Sequence, residues 1–258
     1  MFVMPLGVLW MIEQYGSVDF YFKEKPEDGL YFSPKNVIVY VEGEYGFIPL
    51  IVGKSLEGKN KPAVEIMSRH QCVDAFNQLP KLLSPAWTLT QINKRTAMLA
   101  ITNWPQFTLE MGANTDMWSV AYPMIRDIII GLKSHGCEII SFVTSMNMTS
   151  PDERSEILVH DFQTVQPEKD MILAPPAWIF PFIAHRMGLK STCMCVTQDE
   201  GQFIDTEALK LVRDWFVAMG FSYDHAKAKN TIKTIRNMED QLNDQRFFSD
   251  DDEGAWMV

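Results

Sequence analysis

The sequence predicts an α/β domain whose central sheet is covered by helices on both faces. Three observations predict it. Short apolar, β-branched runs alternate with amphipathic runs of helical period between residues 36 and 242. Several of the apolar runs are continuous instead of alternating, as strands buried on both faces are. The order strand, helix, strand, helix implies right-handed crossovers. A chain of 258 residues has the length of one large domain.

Composition narrows the class. Hydrophobic residues make up 47% of the chain and charged residues 22%, enough apolar material for a sizeable core. Twenty-three cations stand against 33 acids, a net charge of −10. That balance argues against a nucleic-acid binder, which needs a basic surface to displace counterions, and against an anionic membrane surface. The opening "MFVMPLGVLWMI" is almost wholly apolar, yet it has no basic n-region or cleavage site and is too short to span a bilayer. It reads as a strand or a segment packed on a partner in a cytoplasmic protein, with Met11 an alternative start.

Taken in order, residues 1–35 form an irregular N-terminal extension or hairpin. "YGSVDFYFKEKPEDGLYFSPKN" has alternation and a Pro26, Asp28, Gly29 turn signal. Strands are predicted at 36–43, 96–102, 138–144, 170–175 and 191–197. A helix over 115–136 places Trp118, Ala121, Ile125, Ile128 and Leu132 on one face, with Pro123 either its first position or a kink inside it. "PAWIFPFIAHRMG" is a second, more apolar helix containing Pro181. Two helices over 206–243 complete the domain, which ends at 245. The first is capped by Asp205 or Thr206 and stopped by Gly220. The second is capped by Asp224, with Ala228, Ile232, Ile235, Met238 and Leu242 as its stripe. Residues 246–258 read as a flexible acidic tail with an apolar end: Asp250 to Glu253 precede Gly254, Ala255 and then Trp256, Met257 and Val258.

The search for chemistry yields candidates without an assembled motif. Gly43, Gly46 and Gly53 follow the first strand of the alternating region, but their spacing is neither a dinucleotide fingerprint nor a phosphate loop. No nucleophile elbow occurs. Cys193 and Cys195 lie on one side of a strand, as a metal or redox pair or as two small apolar residues. The five histidines share no metal-ligand spacing. His185 is a possible general base or a histidine at the edge of a core. Asp199 and Glu200 follow a strand, where sites in open α/β sheets lie. They read as a catalytic pair, or as a turn before the cap at Asp205. Asn103, Trp104 and Gln106 either line a pocket or close a turn around Pro105. No catalytic residue, metal ligand or cofactor is assigned.

Three stretches resemble the archaeal and actinobacterial proteasome assembly chaperone family. In 177–242 the matching positions are Gly188, Glu200-Gly201, Phe203, Asp205, Ala208 and Leu209. In "VEGEYG" they are Glu42, Gly43 and Gly46, and "YPMIRDIIIGLKSHGCEIISFVTS" resembles the family's central helix and strand. The chain departs from the pattern where "FIPLIVG" replaces further glycines and a proline, and where Thr206 stands for proline. The resemblance implies a three-layer α/β/α sandwich, phosphorylase/hydrolase-like, without established catalysis. It also implies self-association and contact with proteasome α-subunits or the core particle. Some members end in a hydrophobic–tyrosine–any tripeptide that docks between α-subunits. Trp256 fits the hydrophobic position, Met257 replaces tyrosine, and the Val258 carboxylate would meet a basic group. The alternatives are a small-molecule hydrolase or transferase using Asp199, Glu200 or His185, and a ligand-binding protein using the Glu42, Gly43, Gly46 turn with Asp199 and Glu200.

Overall fold

The computed structural model describes residues 11–22, 32–41, 47–56, 62–68, 87–101, 117–147, 155–161, 179–199 and 204–250, of which 41, 62, 63, 68, 117–121, 146, 147 and 238–250 are described by backbone alone. They form one nine-stranded mixed sheet with helices on both faces. Its centre is parallel: β6 (Thr96–Ile101), β3 (Asn36–Val41), β7 (Ile139–Asn147) and β9 (Lys190–Gln198) lie side by side and run the same way. An antiparallel wing adds β5 (Trp87–Gln91), β4 (Pro62–Ser68), β2 (Val18–Phe22) and β1 (Met11–Tyr15) outward from β6. On the other side β8 (Ile157–Asp161) pairs antiparallel with β9 and forms the edge.

All six residues of β6 are buried. Such a strand needs apolar cover above and below, and two separate cores supply it. One core sets Leu99, Val37, Phe142 and Cys193 against α2 (Met117–Ser134) and α3 (Ile179–Arg186), through Ile125, Ile128, Leu132, Phe180 and Ile183. The other sets Met98, Ile38, Val143 and Val196 against α1 (Phe47–Ser55), α4 (Thr206–Ala218) and α5 (His225–Asp250), through Ile51, Val212, Phe216 and Ile235. This is the α/β/α sandwich that the sequence predicts. No helix among the described residues is long and apolar enough to cross a membrane.

The strands expected at 36–43, 96–102, 138–144 and 191–197 match β3, β6, β7 and β9 within a few residues at each end. The strand expected at 170–175 lies outside the described residues. Pro123 sits inside α2, not at its start, with Met117–Tyr122 ahead of it. β1 and β2 form a hairpin that turns at Gly16-Ser17, so β1 draws its first residues from the end of the apolar opening, while the turn signal at Pro26, Asp28 and Gly29 lies outside the described residues. Gly16 has φ +53°, and a Cβ there would stand 2.2 Å from Asp127 Oδ2, so this turn requires glycine. "FIPLIVGKS" is the helix α1, not a glycine-type loop. Its Ile48, Leu50, Ile51 and Val52 are all buried. Gly53 lets the helix lie close on the sheet, since a Cβ would come within 2.8 Å of the Tyr40 ring. Strands β4, β5 and β8 carry no matching expectation. Helix α5 takes in Arg246–Asp250, so it reaches five residues into the segment expected as tail. Residues 251–258 lie outside the described residues.

Leu99 is fully buried at the centre of the sheet. Leu99→Ala is expected to cost about 3 kcal/mol. Lys229→Ala on the exposed face of α5 is expected to stay within about 0.5 kcal/mol. Urea unfolding midpoints check both.

Candidate functional site

The four parallel strands end together, and the loops that follow them are the expected place for a site. Of the residues singled out there, Glu42, Gly43, Gly46, Asn103, Trp104, Gln106 and Glu200 lie outside the described residues, as do Trp256, Met257 and Val258. Asp199 is described, just past β9 and half-buried. Its backbone N–H donates to Asp205 Oδ2 at 2.9 Å.

Asp205 is the hub of this edge. Oδ1 accepts from the N–H groups of Glu207 and Ala208 at 2.8 and 3.1 Å, which makes Asp205 the N-cap of α4. Oδ2 accepts from Asp199 and from Ser155 Oγ at 2.8 Å. One buried carboxylate thus ties the approach to β8, the end of β9 and the start of α4. Burial is the largest single influence on it and would raise its pKa. The bonds from Asp199, Ala208, Ser155 and Glu207 outweigh burial and hold it below the ordinary carboxylate range. With its lone pairs occupied, Asp205 fastens the fold and offers no free base.

His185 cannot join Asp199. It stands in the last turn of α3, at the N-terminal end of β9, whereas Asp199 follows the C-terminal end. Nine residues of strand lie between the two ends, a separation on the order of 30 Å. His185 and Asp199 therefore do not share one site, and Glu200 lies outside the described residues.

Cys137, Cys193 and Cys195 are core residues, and Cys72 lies outside the described residues. Cys193 is fully buried against the α2–α3 face, and Cys195 is equally buried. Burial pushes the Cys195 thiol up to about 12 and raises Cys193 as well. Cys137 is likewise pushed to about 12 by burial. No group of three potential metal ligands occurs among the described residues.

A polar cluster with no sequence signal joins β1 to the end of α2. His135 Nε2 lies 2.8 Å from Glu13 Oε2, and Tyr15 Oη lies 2.7 Å from Ser134 Oγ and donates to Glu13. Burial and the Glu13 carboxylate raise the Tyr15 phenol. The His135 ring also lies beside Phe20, Phe22 and Phe32. Close by, Asp127 Oδ2 accepts from Ser17 N–H at 2.7 Å and Ser17 Oγ at 2.8 Å, while Oδ1 accepts from the Arg126 guanidinium. These contacts bind the N-terminal hairpin to α2. They lie on the antiparallel wing, not on the loops that follow the parallel strands.

A parallel-centred sheet between two helical layers, its ends tied by Asp127 and Asp205, defines an α/β/α domain. The fold is shared with Pyrococcus furiosus PbaB, an archaeal proteasome activator, at TM-score 0.58 and 10% identity over 90% of this chain and 99% of that one. It is shared with PbaA of the same organism, an archaeal homolog of proteasome-assembly chaperone, at 0.55 and 12% over 93% and 100%. A Mycobacterium tuberculosis protein of unknown function matches at 0.51 and 13% over 90% and 84%. No protein-family profile and no curated protein matches the chain by sequence. The likeness is one of fold, and it agrees with the family resemblance read from the sequence.

Two predictions follow from this geometry. Asp205 and Asp127 have lowered pKa values, so their stabilisation is complete above the unfolded carboxylate value of about 3.9 and is lost as pH falls through the folded values. Asp205→Asn is expected to lower stability by about 2 kcal/mol at pH 7 and to flatten the loss below about pH 4, read from urea midpoints across pH. Second, Cys137, Cys193 and Cys195 are expected to resist iodoacetamide in the native protein and to react on unfolding. Mass-spectrometric mapping of the alkylated cysteines reads this out.

Proposed function

We propose that this protein is a non-catalytic proteasome assembly chaperone or proteasome-binding adaptor, acting through protein–protein contacts as an assembly of copies. The observation that carries this reading is the fold shared with PbaA and PbaB over nine-tenths of the chain. The separation of His185 from Asp199 and the engagement of Asp205 favour contact over catalysis. In this reading the partners are proteasome α-subunits or the core particle. Trp256, Met257 and Val258 are the docking segment, carried beyond the domain by the acidic run Asp250–Glu253. A tryptophan filling an apolar pocket is the kind of residue that dominates binding. The Glu42, Gly43 and Gly46 segment remains a candidate ligand loop.

A titration of the full chain against α-subunits and against the assembled core particle tests the reading. Saturable binding is expected, and Trp256→Ala is expected to weaken it about 30-fold. Equal binding by both chains would move the interface to the folded domain. No binding to either target would remove the proteasome from the assignment.

A further inference from the structure

Helices α2 and α3 cover one face of the sheet and end side by side. Lys133, in the last turn of α2, donates to the Met187 carbonyl just past α3 at 2.7 Å. Strands β7 and β9 follow these helices and run parallel, so both helices finish over the N-terminal end of the sheet. Each helix presents an apolar side chain outward one turn ahead of a cation. On α2 the exposed residues Tyr122, Arg126, Ile130 and Lys133 recur at helical spacing and form one stripe. On α3 Phe182 and Arg186 lie one turn apart, both exposed. Ile130 is 40% exposed and Phe182 41%, so large apolar side chains meet water beside the cations. The two helices contain one acid, Asp127, which is buried and held by Ser17 and Arg126.

The strand starts beneath the helix ends continue the cationic line. Asn36 N–H donates to the Arg95 carbonyl, Glu138 N–H to the Lys35 carbonyl, and Lys190 N–H to the Glu138 carbonyl. Arg95 precedes β6 and Lys190 opens β9, three strand spacings away, or about 14 Å. Lys35, Lys94, Arg95, Lys133, Arg186 and Lys190 are all exposed. Glu138 is the acid within the line. It lies 2.6 Å from Lys35 Nζ, and Lys35, then Lys190 and Arg95, hold its pKa below the ordinary carboxylate range. One carboxylate matches Lys35 and leaves Lys94, Arg95 and Lys190 in excess among the described residues. Asp161, opposite Thr192 in the sheet, has a partner of its own, and Glu13 is engaged with His135. Lys133 and Arg186 also complement the C-terminal carbonyls of their helices. That role does not account for Lys94, Arg95 and Lys190, which stand at strand starts.

We propose that this corner of the molecule receives a short acidic segment of another protein. Carboxylates of the segment meet Arg95, Lys190, Lys133 and Arg186, and its apolar side chains pack against Ile130 and Phe182. This goes beyond the docking of Trp256, Met257 and Val258, since the chain here accepts a segment where the tail offers one. Charge complementarity selects the occupant. The chain as a whole carries a net charge of −10. A duplex or an anionic membrane extends over the rest of that acidic surface and is repelled by it. An extended segment of about five residues spans the line and stays within the screening length of its cations. Phosphates have no use for Ile130 and Phe182, whereas a peptide with alternating acidic and apolar residues matches both components of the surface. Exposed ion pairs contribute little singly, so the contact is weak, salt-sensitive and dependent on several cations together.

Fluorescence anisotropy tests this, with a labelled peptide of alternating Glu and Leu titrated with the full chain at about 50 mM and about 300 mM salt. A poly-Glu peptide of equal length, an oligothymidylate and phosphatidylserine vesicles are measured beside it. The expected result is saturable binding of the Glu-Leu peptide, tighter than of the other three and weaker at high salt. Arg186→Glu with Lys190→Glu is expected to weaken it about tenfold or more. Ile130→Ser is expected to weaken it about fivefold. Lys229→Glu with Lys233→Glu makes the same charge change on the exposed face of α5, in the opposite layer, and is expected to leave binding unchanged. Each variant keeps the far-ultraviolet spectrum of the parent. Equal loss in the α5 variant would reduce the effect to net charge and overturn the proposal. Poly-Glu, the oligonucleotide or the vesicles binding as tightly would overturn it and make the corner a general anion surface. No binding of the Glu-Leu peptide would overturn it as well, and would leave the titration against proteasome subunits untouched.

Discussion

The rest of this structure depends on burying four parallel strands on both faces. A strand such as β6, buried along its whole length, has no face that water can take. It is stable only if helices lie above and below, and the chain supplies them by crossing back and forth between strands. Gly53 shows how tight the fit is, because even a methyl group there would meet the Tyr40 ring. The apolar burial is non-directional, so it brings layers together without fixing their ends.

The ends are fixed by carboxylates. Asp127 holds the first hairpin against α2, Asp205 joins the β8 and β9 ends to α4, and Asp224 starts α5. Each accepts backbone N–H groups that would otherwise lack partners, which is why these acids are partly or wholly buried at no net penalty. In an acidic chain it is tempting to read paired acids after a strand as catalytic. Here the fastening role accounts for Asp205, and it also engages the Asp199 backbone.

What remains for function is surface and polarity. The parallel arrangement gathers all N-terminal strand ends on one side and all C-terminal ends on the other. Lysines and arginines flank the former, and acids follow the latter. The fold that gathers them is shared with a proteasome activator and a proteasome-assembly chaperone homolog.

Much of the centre was legible because its signals are local. Continuous apolar runs mark β3, β6, β7 and β9, helical stripes mark α2 to α5, and the Asp205 and Asp224 caps lie within three residues of the N–H groups they accept. Strands β5 and β8 were not legible, since five residues are too few for a period to stand out, and in β4 Glu65 interrupts the apolar run. Helix α1 was hidden because "FIPLIVG" is apolar on every side, leaving no periodicity to read. The contacts from Glu13 to His135 and from Ser17 to Asp127 join residues more than 100 positions apart, and nothing local encodes them. By itself, then, the sequence determined the central strands β3, β6, β7 and β9, the helices α2 to α5 and the acids that cap α4 and α5, because those choices follow from neighbours along the chain. Only the tertiary structure decided that β3 lies between β6 and β7, that His185 and Asp199 stand at opposite ends of β9, and that the cations share one edge. Strand order is set by pairing between distant segments, and pairing alone brings those residues together or holds them apart.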